Sequence, residues 1–359
     1  MKQGNSLPPE YLNLTEQEMD RRIREAKEAL GSKLVVLGHH YQKDQVLRYA
    51  DYRGDSLKLA QLAAQQDEVE YIVFCGVHFM AETADILSSD KQKVILPDLN
   101  AGCSMADMAD LSQVLICWEE VRTKYDKEII PITYINSSAE IKAFCGRHGG
   151  MTCTSSNAER VMASVLQEDK IILFLPDQHL GCNTARKLGV QAQEILLWDP
   201  DNYKIELPER PPRLILWDGF CCVHQMFQAK NVWDVKAKYQ GIKIIVHPEC
   251  EQAVVAIADF CGSTEYIIRT VTGSLPGSIW AVGTEFNLVN RLAEENPDKK
   301  IISLNEKLSL CRSMNRIGQP HLLWILENLK EGNVVNQIVV DPKIAEEAKL
   351  ALNRMLEIS

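Results

Sequence analysis

The chain has 359 residues, 46% hydrophobic and 25% charged, the balance of an ordinary globular protein with room for two or three domains. A formal net charge of -10 argues against a nucleic-acid surface, and no apolar run approaches the ~20 residues that a membrane span needs. The start, Met1-Lys2-Gln3-Gly4-Asn5-Ser6, lacks an apolar signal region, so a cytosolic protein is expected.

Leu14 to Leu30 reads as an amphipathic helix, with Thr15 as N-cap, Glu18 three residues on and Gly31 as the stop. Leu34-Val35-Val36-Leu37 is a buried strand that breaks off in Gly38-His39-His40-Tyr41-Gln42, and a helix from about Asp44 or Asp55 runs to Gln65. The strand Tyr71 to Phe74, the helix Phe79 to Leu87 and the strand Val94 to Leu96 complete a βαβαβ pattern, which predicts a parallel sheet. The loop Pro97-Asp98-Leu99-Asn100-Ala101-Gly102 then delivers Cys103 at the carboxyl edge of that sheet.

The pattern restarts with a largely helical Met105 to Tyr125. Strands follow at Ile129 to Thr133, near Met151 and at Ile171 to Leu175, with a helix from Ala158 to Leu166. A polar, turn-rich piece at about 195–212 reads as an inserted hairpin before the strand that leads to Cys221. A third round has a helix from Val223 to Lys238, the strand Ile242 to Val246, a helix from Gln252 to Phe260, and strands at Ser278 to Val282 and Lys300 to Leu304. Helices at His321 to Leu329 and Pro342 to Leu356 close the chain. The predicted fold is α/β, three tandem pseudo-repeated α/β/α sandwich units over 1–115, 116–221 and 222–359. His39 to Cys103 and His247 to Cys311 span the same distance, 103−39=64 and 311−247=64, which supports the repeat.

Each unit sets polar groups just after its first and second strands: His39, Tyr41 and Ser56, then Tyr134, Asn136 and Ser155, then His247, Glu249, Ser263 and Thr264. Carboxyl edges of parallel strands are where α/β folds build ligand pockets. Ser155 and Ser263-Thr264 also precede helices, whose first N–H groups favour an anion or serve simply as capped ends. His247-Pro248-Glu249 places an imidazole and a carboxylate on one side of an extended segment, which suits proton transfer.

Eleven cysteines, with no C-x-x-C pair, argue against a disulfide framework or a zinc ribbon; most read as small buried hydrophobes. Cys103, Cys221 and Cys311 lie at the ends of the three units. A three-cysteine set suits a zinc completed by histidine or an iron–sulfur cluster with one open iron. Pro176-x4-Gly181-Cys182 copies the spacing of Pro97-x4-Gly102-Cys103, so counting leaves Cys182, Cys221 and Cys222 as rivals for the middle position.

Taken together, these motifs resemble the quinolinate synthase A family over essentially the whole chain. The matching stretches are Gly38-His39-His40-Tyr41-Gln42, Gly54-Asp55-Ser56-Leu57, Phe74-Cys75-Gly76-Val77-His78-Phe79-Met80-Ala81-Glu82-Thr83 and Leu96-Pro97-Asp98-Leu99 with Ala101-Gly102-Cys103-Ser104. Tyr134-Ile135-Asn136-Ser137, Pro176-Asp177 with His179-Leu180-Gly181, Trp217-x-Gly219-x-Cys221-x-x-His224, His247-Pro248-Glu249 and Gly262-Ser263-Thr264 complete the set.

The resemblance implies a [4Fe-4S] cluster held by Cys103, Cys221 and Cys311 with one open iron, and it removes Cys182 and Cys222 from the ligand set. It implies condensation of iminoaspartate with dihydroxyacetone phosphate to quinolinate for NAD synthesis, with an L-aspartate-oxidising enzyme as functional partner and neither nucleic acid nor membrane involved. By the same resemblance Tyr41 and Glu249 are acid/base candidates, and His39, Ser56 and Ser155 bind carboxylate or phosphate. His247, Ser263 and Thr264 face the same cavity, while Tyr134, Asn136 and His224 orient intermediates. From the cysteines alone, an aconitase-like hydro-lyase and a non-catalytic iron or redox sensor are the competing readings.

Overall fold

The computed structural model describes residues 7–65, 69–202, 207–305, 307 and 309–358. Three sheets carry the chain. The first uses β1 (Leu34–His39), β2 (Tyr52–Gly54), β3 (Tyr71–Cys75) and β4 (Lys93–Ile95), laid parallel in the order β4-β3-β1-β2. The second uses β5 (Ile129–Tyr134), β6 (Met151–Cys153), β7 (Ile171–Leu175), β8 (Ile195–Trp198) and β9 (Leu214–Trp217), all parallel, in the order β6-β5-β7-β9-β8. The third uses β10 (Lys243–Val246), β11 (Phe260–Cys261), β12 (Ile279–Gly283) and β13 (Lys300–Ser303), parallel in the order β11-β10-β12-β13.

The repeat is therefore topological. In each sheet the first strand lies between a short edge strand and the third, and the last strand of the unit lies beyond. The central strands are apolar runs such as Val35-Val36-Leu37, Ile172-Leu173-Phe174 and Ile244-Ile245-Val246, all at most 3% exposed, as expected of parallel strands covered by helices on both faces.

Two compact units result, Met1–Cys103 with Leu310–Asp341, and Ser104–Ser309 with Pro342–Ser359. Residues 222–359 thus divide. The strand β14 (Gln337–Ile338) returns antiparallel to β4, and the helix Pro342–Ile358 packs on the helix Ala139–Arg147 of the second sheet. In the first unit Thr15 caps the helix Glu16–Leu30 by accepting from the Glu18 N–H, and Gly31 ends it at φ 51°, as the sequence predicts. That helix joins Gln319–Lys330 through Arg22, whose guanidinium grips both carboxylate oxygens of Glu327 at 2.7 and 2.6 Å, while the Tyr11 hydroxyl donates to the same carboxylate at 2.8 Å.

Three expectations change. Ile195–Trp198 is not one arm of a hairpin but a parallel edge strand on β9; within 195–212, residues 203–206 lie outside the described residues. Its Trp198 is fully buried, so the strand is held by core packing that a polar, turn-rich reading overlooks. Gln252 to Phe260 is a single turn, Gln252–Val255, followed by β11. Val223 to Lys238 likewise splits into a 3₁₀ turn, His224–Met226, and the helix Ala229–Lys238.

In the second unit the closing helix has one tight point. A Cβ built on Gly146 would lie 1.9 Å from the Glu347 backbone oxygen, and a main-chain atom in a packed helix cannot retreat cheaply. Gly146→Ala is expected to destabilise the protein by about 3 kcal/mol, read as a lower denaturant midpoint. An unchanged midpoint would show that the two helices separate without cost.

Candidate functional site

In the second unit the strands β5, β6, β10, β11 and β12 all end at polar side chains. Tyr134 is the last residue of β5, Ser155 follows β6, His247 follows β10, Ser263 follows β11 and Thr284 follows β12. Pro248 stops further pairing after β10, because it has no N–H to give a ladder. The His247-Pro248-Glu249 loop is fixed by Asn183, whose side-chain amide donates to the carbonyls of Pro248 and Cys250, each at 2.8 Å.

Glu249 is the centre of this cluster. It is 2% exposed, and its Oε2 lies 2.5 Å from His224 Nδ1 and 3.7 Å from His247 Nδ1. Burial works against the carboxylate charge, but the His224 and His247 rings and a hydrogen bond from Tyr134 outweigh it and hold Glu249 down to about 2.

The two imidazoles stack 4.5 Å apart at 14°. Burial lowers His247 to about 3, so it is neutral at ordinary pH. Its Nδ1 accepts from the Glu249 N–H at 3.4 Å, which assigns the proton to Nε2, and Nε2 sits 3.2 Å from Ser155 Oγ. His224 Nε2 sits 3.2 Å from Thr284 Oγ1.

Asp177 is the second carboxyl of this region. It caps the helix Gln178–Lys187 by accepting from the Leu180 N–H at 2.6 Å, is fully buried, and has one oxygen without a partner. Burial first, and the Glu249 charge second, push it well above the usual carboxylate range, so the surroundings drive the proton affinities of the two carboxyls apart. The same helix start bridges to Gly219, whose carbonyl accepts from the Gln178 N–H at 2.9 Å. A Cβ at Gly219 would meet the Pro176 carbonyl oxygen at 2.4 Å, so only glycine lets the loop toward Cys221 pass here.

A cavity of about 870 Å³ opens in this unit, with Ser155, Ser263 and Pro248 on its wall. Asn136 Oδ1 is buried and has no hydrogen-bond partner among the described residues. An orphaned acceptor of this kind calls for a donor from a ligand or water.

The first unit is described by itself. His39 ends β1 and is buried; its ring meets Tyr41 edge-on at 4.8 Å, and its Nδ1 accepts from the Tyr41 N–H at 3.1 Å. Ser56 opens the helix Ser56–Ala64 behind its cap Asp55. The loops bearing Cys103 and Cys311 are joined by Arg316, whose Nε lies 2.8 Å from Asp98 Oδ2.

Cys103, Cys221 and Cys311 follow β4, β9 and β13, the last strand of each repeat, and all are partly exposed. Six other thiols are poor metal ligands. Burial raises Cys75 and Cys261 to about 12 and likewise pushes Cys117, Cys145, Cys153 and Cys250 well above the usual thiol range. Cys182 lies inside the helix Gln178–Lys187, after the third strand of its sheet. Cys221 Sγ, a His224 ring nitrogen and a Glu249 oxygen lie within 4.8 Å of one another, a donor set that accepts a metal centre beside the proton-transfer groups. Cys221 thus fits the part of a thiolate ligand. Thr284, Asn183 and Asp177 are the members of the site that the strand-end reading omits; of these only Asp177, in the Pro176-Asp177 pair, carried a signal.

Comparison with known proteins follows the same line. The profile of the quinolinate synthetase A protein family matches residues 21–357. The quinolinate synthase of Geobacillus kaustophilus is 52% identical over 361 aligned positions, covering 100% of this chain and 98% of that protein. The quinolinate synthase of Geobacillus thermodenitrificans is 53% identical with the same coverage, 100% and 98%. That of Bacillus anthracis is 52% identical over 98% of this chain and 96% of its own length.

Proposed function

Because the chain belongs to the quinolinate synthetase A family, we propose that it condenses iminoaspartate with dihydroxyacetone phosphate, releasing phosphate and two waters to give quinolinate for NAD synthesis. The observation that carries this reading is the buried, ionised Glu249 beside neutral His247 and the Tyr134 hydroxyl, next to a cavity walled by Ser155 and Ser263. Successive dehydrations need a base that keeps its charge while buried and donors that move protons onto departing oxygens.

In this scheme Glu249 accepts a proton from the substrate carbon skeleton, and the Tyr134 hydroxyl steadies the carboxylate between transfers. His247 presents its Nε2 proton, and with Ser155, Ser263 and Thr264 it binds carboxylate or phosphate oxygens. Asn136 offers its orphaned carbonyl oxygen to a substrate N–H or O–H, and His224 orients Glu249. Tyr41, His39 and Ser56 serve the substrate as a second set of acid/base and anion-binding groups.

Cys103, Cys221 and Cys311 are the proposed ligands of a [4Fe-4S] cluster. When bound, the cluster supplies Lewis acidity at its one iron without a cysteine ligand. The unstable iminoaspartate makes an L-aspartate-oxidising enzyme the functional partner and the cytoplasm the expected location. Among the described residues no helix is long and apolar enough to cross a membrane.

The test is direct. Protein purified without oxygen is assayed for iron, sulfide and quinolinate formed from the two substrates. Quinolinate produced in proportion to cluster content supports the reading, and none from a fully iron-loaded sample overturns it.

A further inference from the structure

The cavity that carries Ser155 and Ser263 has an outer part of opposite character to the rest of the chain. Arg160, Arg186, Lys187 and Arg269 line it against only two carboxylates, Glu159 and Glu265, in a protein whose net charge is -10. Lys187 is already paired with Glu159.

The three arginines are different. Among the described residues none of their guanidinium groups is in an ion pair, and Arg269 only rests over the Tyr266 ring at 5.9 Å. Elsewhere Arg21, Arg22, Arg24, Arg48, Arg122, Arg147 and Arg316 hold carboxylates, and Arg213 and Arg354 donate to backbone carbonyls. All three cavity arginines are exposed, whereas Ser263 is buried and Ser155 half-buried, so the cations stand at the solvent side. Unpaired guanidinium forks suit the paired oxygens of a phosphate or carboxylate, and cations at a cavity mouth raise the local concentration and entry rate of anions.

We propose that Arg160, Arg186 and Arg269 form an outer anion-binding subsite at the mouth of this cavity, which captures small dianions, phosphate monoesters or dicarboxylates, before they reach Ser155 and Ser263. This rests on the proposed function insofar as both of its substrates are dianions of these classes. The subsite acts on capture, so its loss falls on KM rather than kcat.

Two probes, inorganic phosphate and succinate, are titrated into the anaerobic cluster-bearing protein and into Arg160→Gln, Arg269→Gln and the triple variant with Arg186→Gln. Binding of one probe or both is expected to weaken about threefold per arginine, roughly thirtyfold in the triple variant. Loss of phosphate alone assigns the subsite to the phosphate ester, loss of succinate alone to the dicarboxylate. KM for the matching substrate should rise in step, and its dependence on salt should flatten.

Unchanged binding of both probes in the triple variant overturns the subsite, as does an equal loss in Arg21→Gln, which changes total charge away from the cavity. Circular dichroism on each variant separates these outcomes from misfolding. Absence of quinolinate with arginine-dependent probe binding intact would remove the proposed reaction and leave the subsite standing. Quinolinate made with unaltered KM and probe binding would do the reverse.

Discussion

Glu249→Gln is expected to lower quinolinate turnover by about 10³-fold while iron and sulfide content stay at the wild-type level. The amide keeps the shape of the side chain beside His224 and His247 but cannot take a proton. The wild-type carboxylate is held down to about 2 by its imidazole and Tyr134 partners against the cost of burial, so it remains ionised across the working range. The loss should therefore be the same at every pH assayed, because the acid limb of a pH profile cannot come from a group already ionised throughout it. Turnover within a few-fold of wild type would take Glu249 out of the chemistry. A variant that lost its iron would instead make Glu249 a supporting contact of the Cys221 centre, to which it lies close.

Cys221→Ser should abolish the cluster, and Cys182→Ser should leave it. By counting, the two cysteines are rivals for the middle position, since Pro176-x4-Gly181-Cys182 copies the spacing of Pro97-x4-Gly102-Cys103 while Cys221 stands at the end of the second unit. In the fold they occupy different places: Cys221 follows β9 as Cys103 follows β4 and Cys311 follows β13, whereas Cys182 is the fifth residue of a helix after β7. Sulfide and iron per chain, with the visible absorbance of the anaerobic protein, read the outcome. A Cys182→Ser protein without cluster beside an intact Cys221→Ser protein would show that spacing, not strand position, identifies the ligand. The expected loss is large because a serine hydroxyl is far harder to deprotonate than a thiol and is a poor ligand for a soft iron–sulfur centre.

Much of the architecture was legible because buried parallel strands announce themselves. Val35-Val36-Leu37, Ile129-Ile130 and Ile244-Ile245-Val246 are continuous apolar runs, and each leads into polar residues where the strand ends. That alone placed His39, Tyr134, His247 and Glu249 at strand ends. The edge strands β2 and β11 were not legible. Tyr52-Arg53 is exposed and Phe260-Cys261 is only two residues long, so neither carries a periodicity to detect; each exists because a neighbouring central strand offers an unpaired edge.

The sequence by itself determined the α/β class, the threefold rhythm of strand and polar ending, and the motif set that identifies the family. All of these depend on local order along the chain. Tertiary structure decided what distance along the chain cannot express. It decided that Ile195–Trp198 lies parallel to β9, because its buried Trp198 needs a core on that side. It decided that β14 returns to β4, and that two imidazoles 23 residues apart, 247−224=23, stack beside one carboxylate. It decided too that Asp177 is pushed well above the usual carboxylate range where Glu249 is held below it, since burial penalises both carboxyls and only Glu249 has the imidazole rings and the Tyr134 hydroxyl beside it to outweigh that cost.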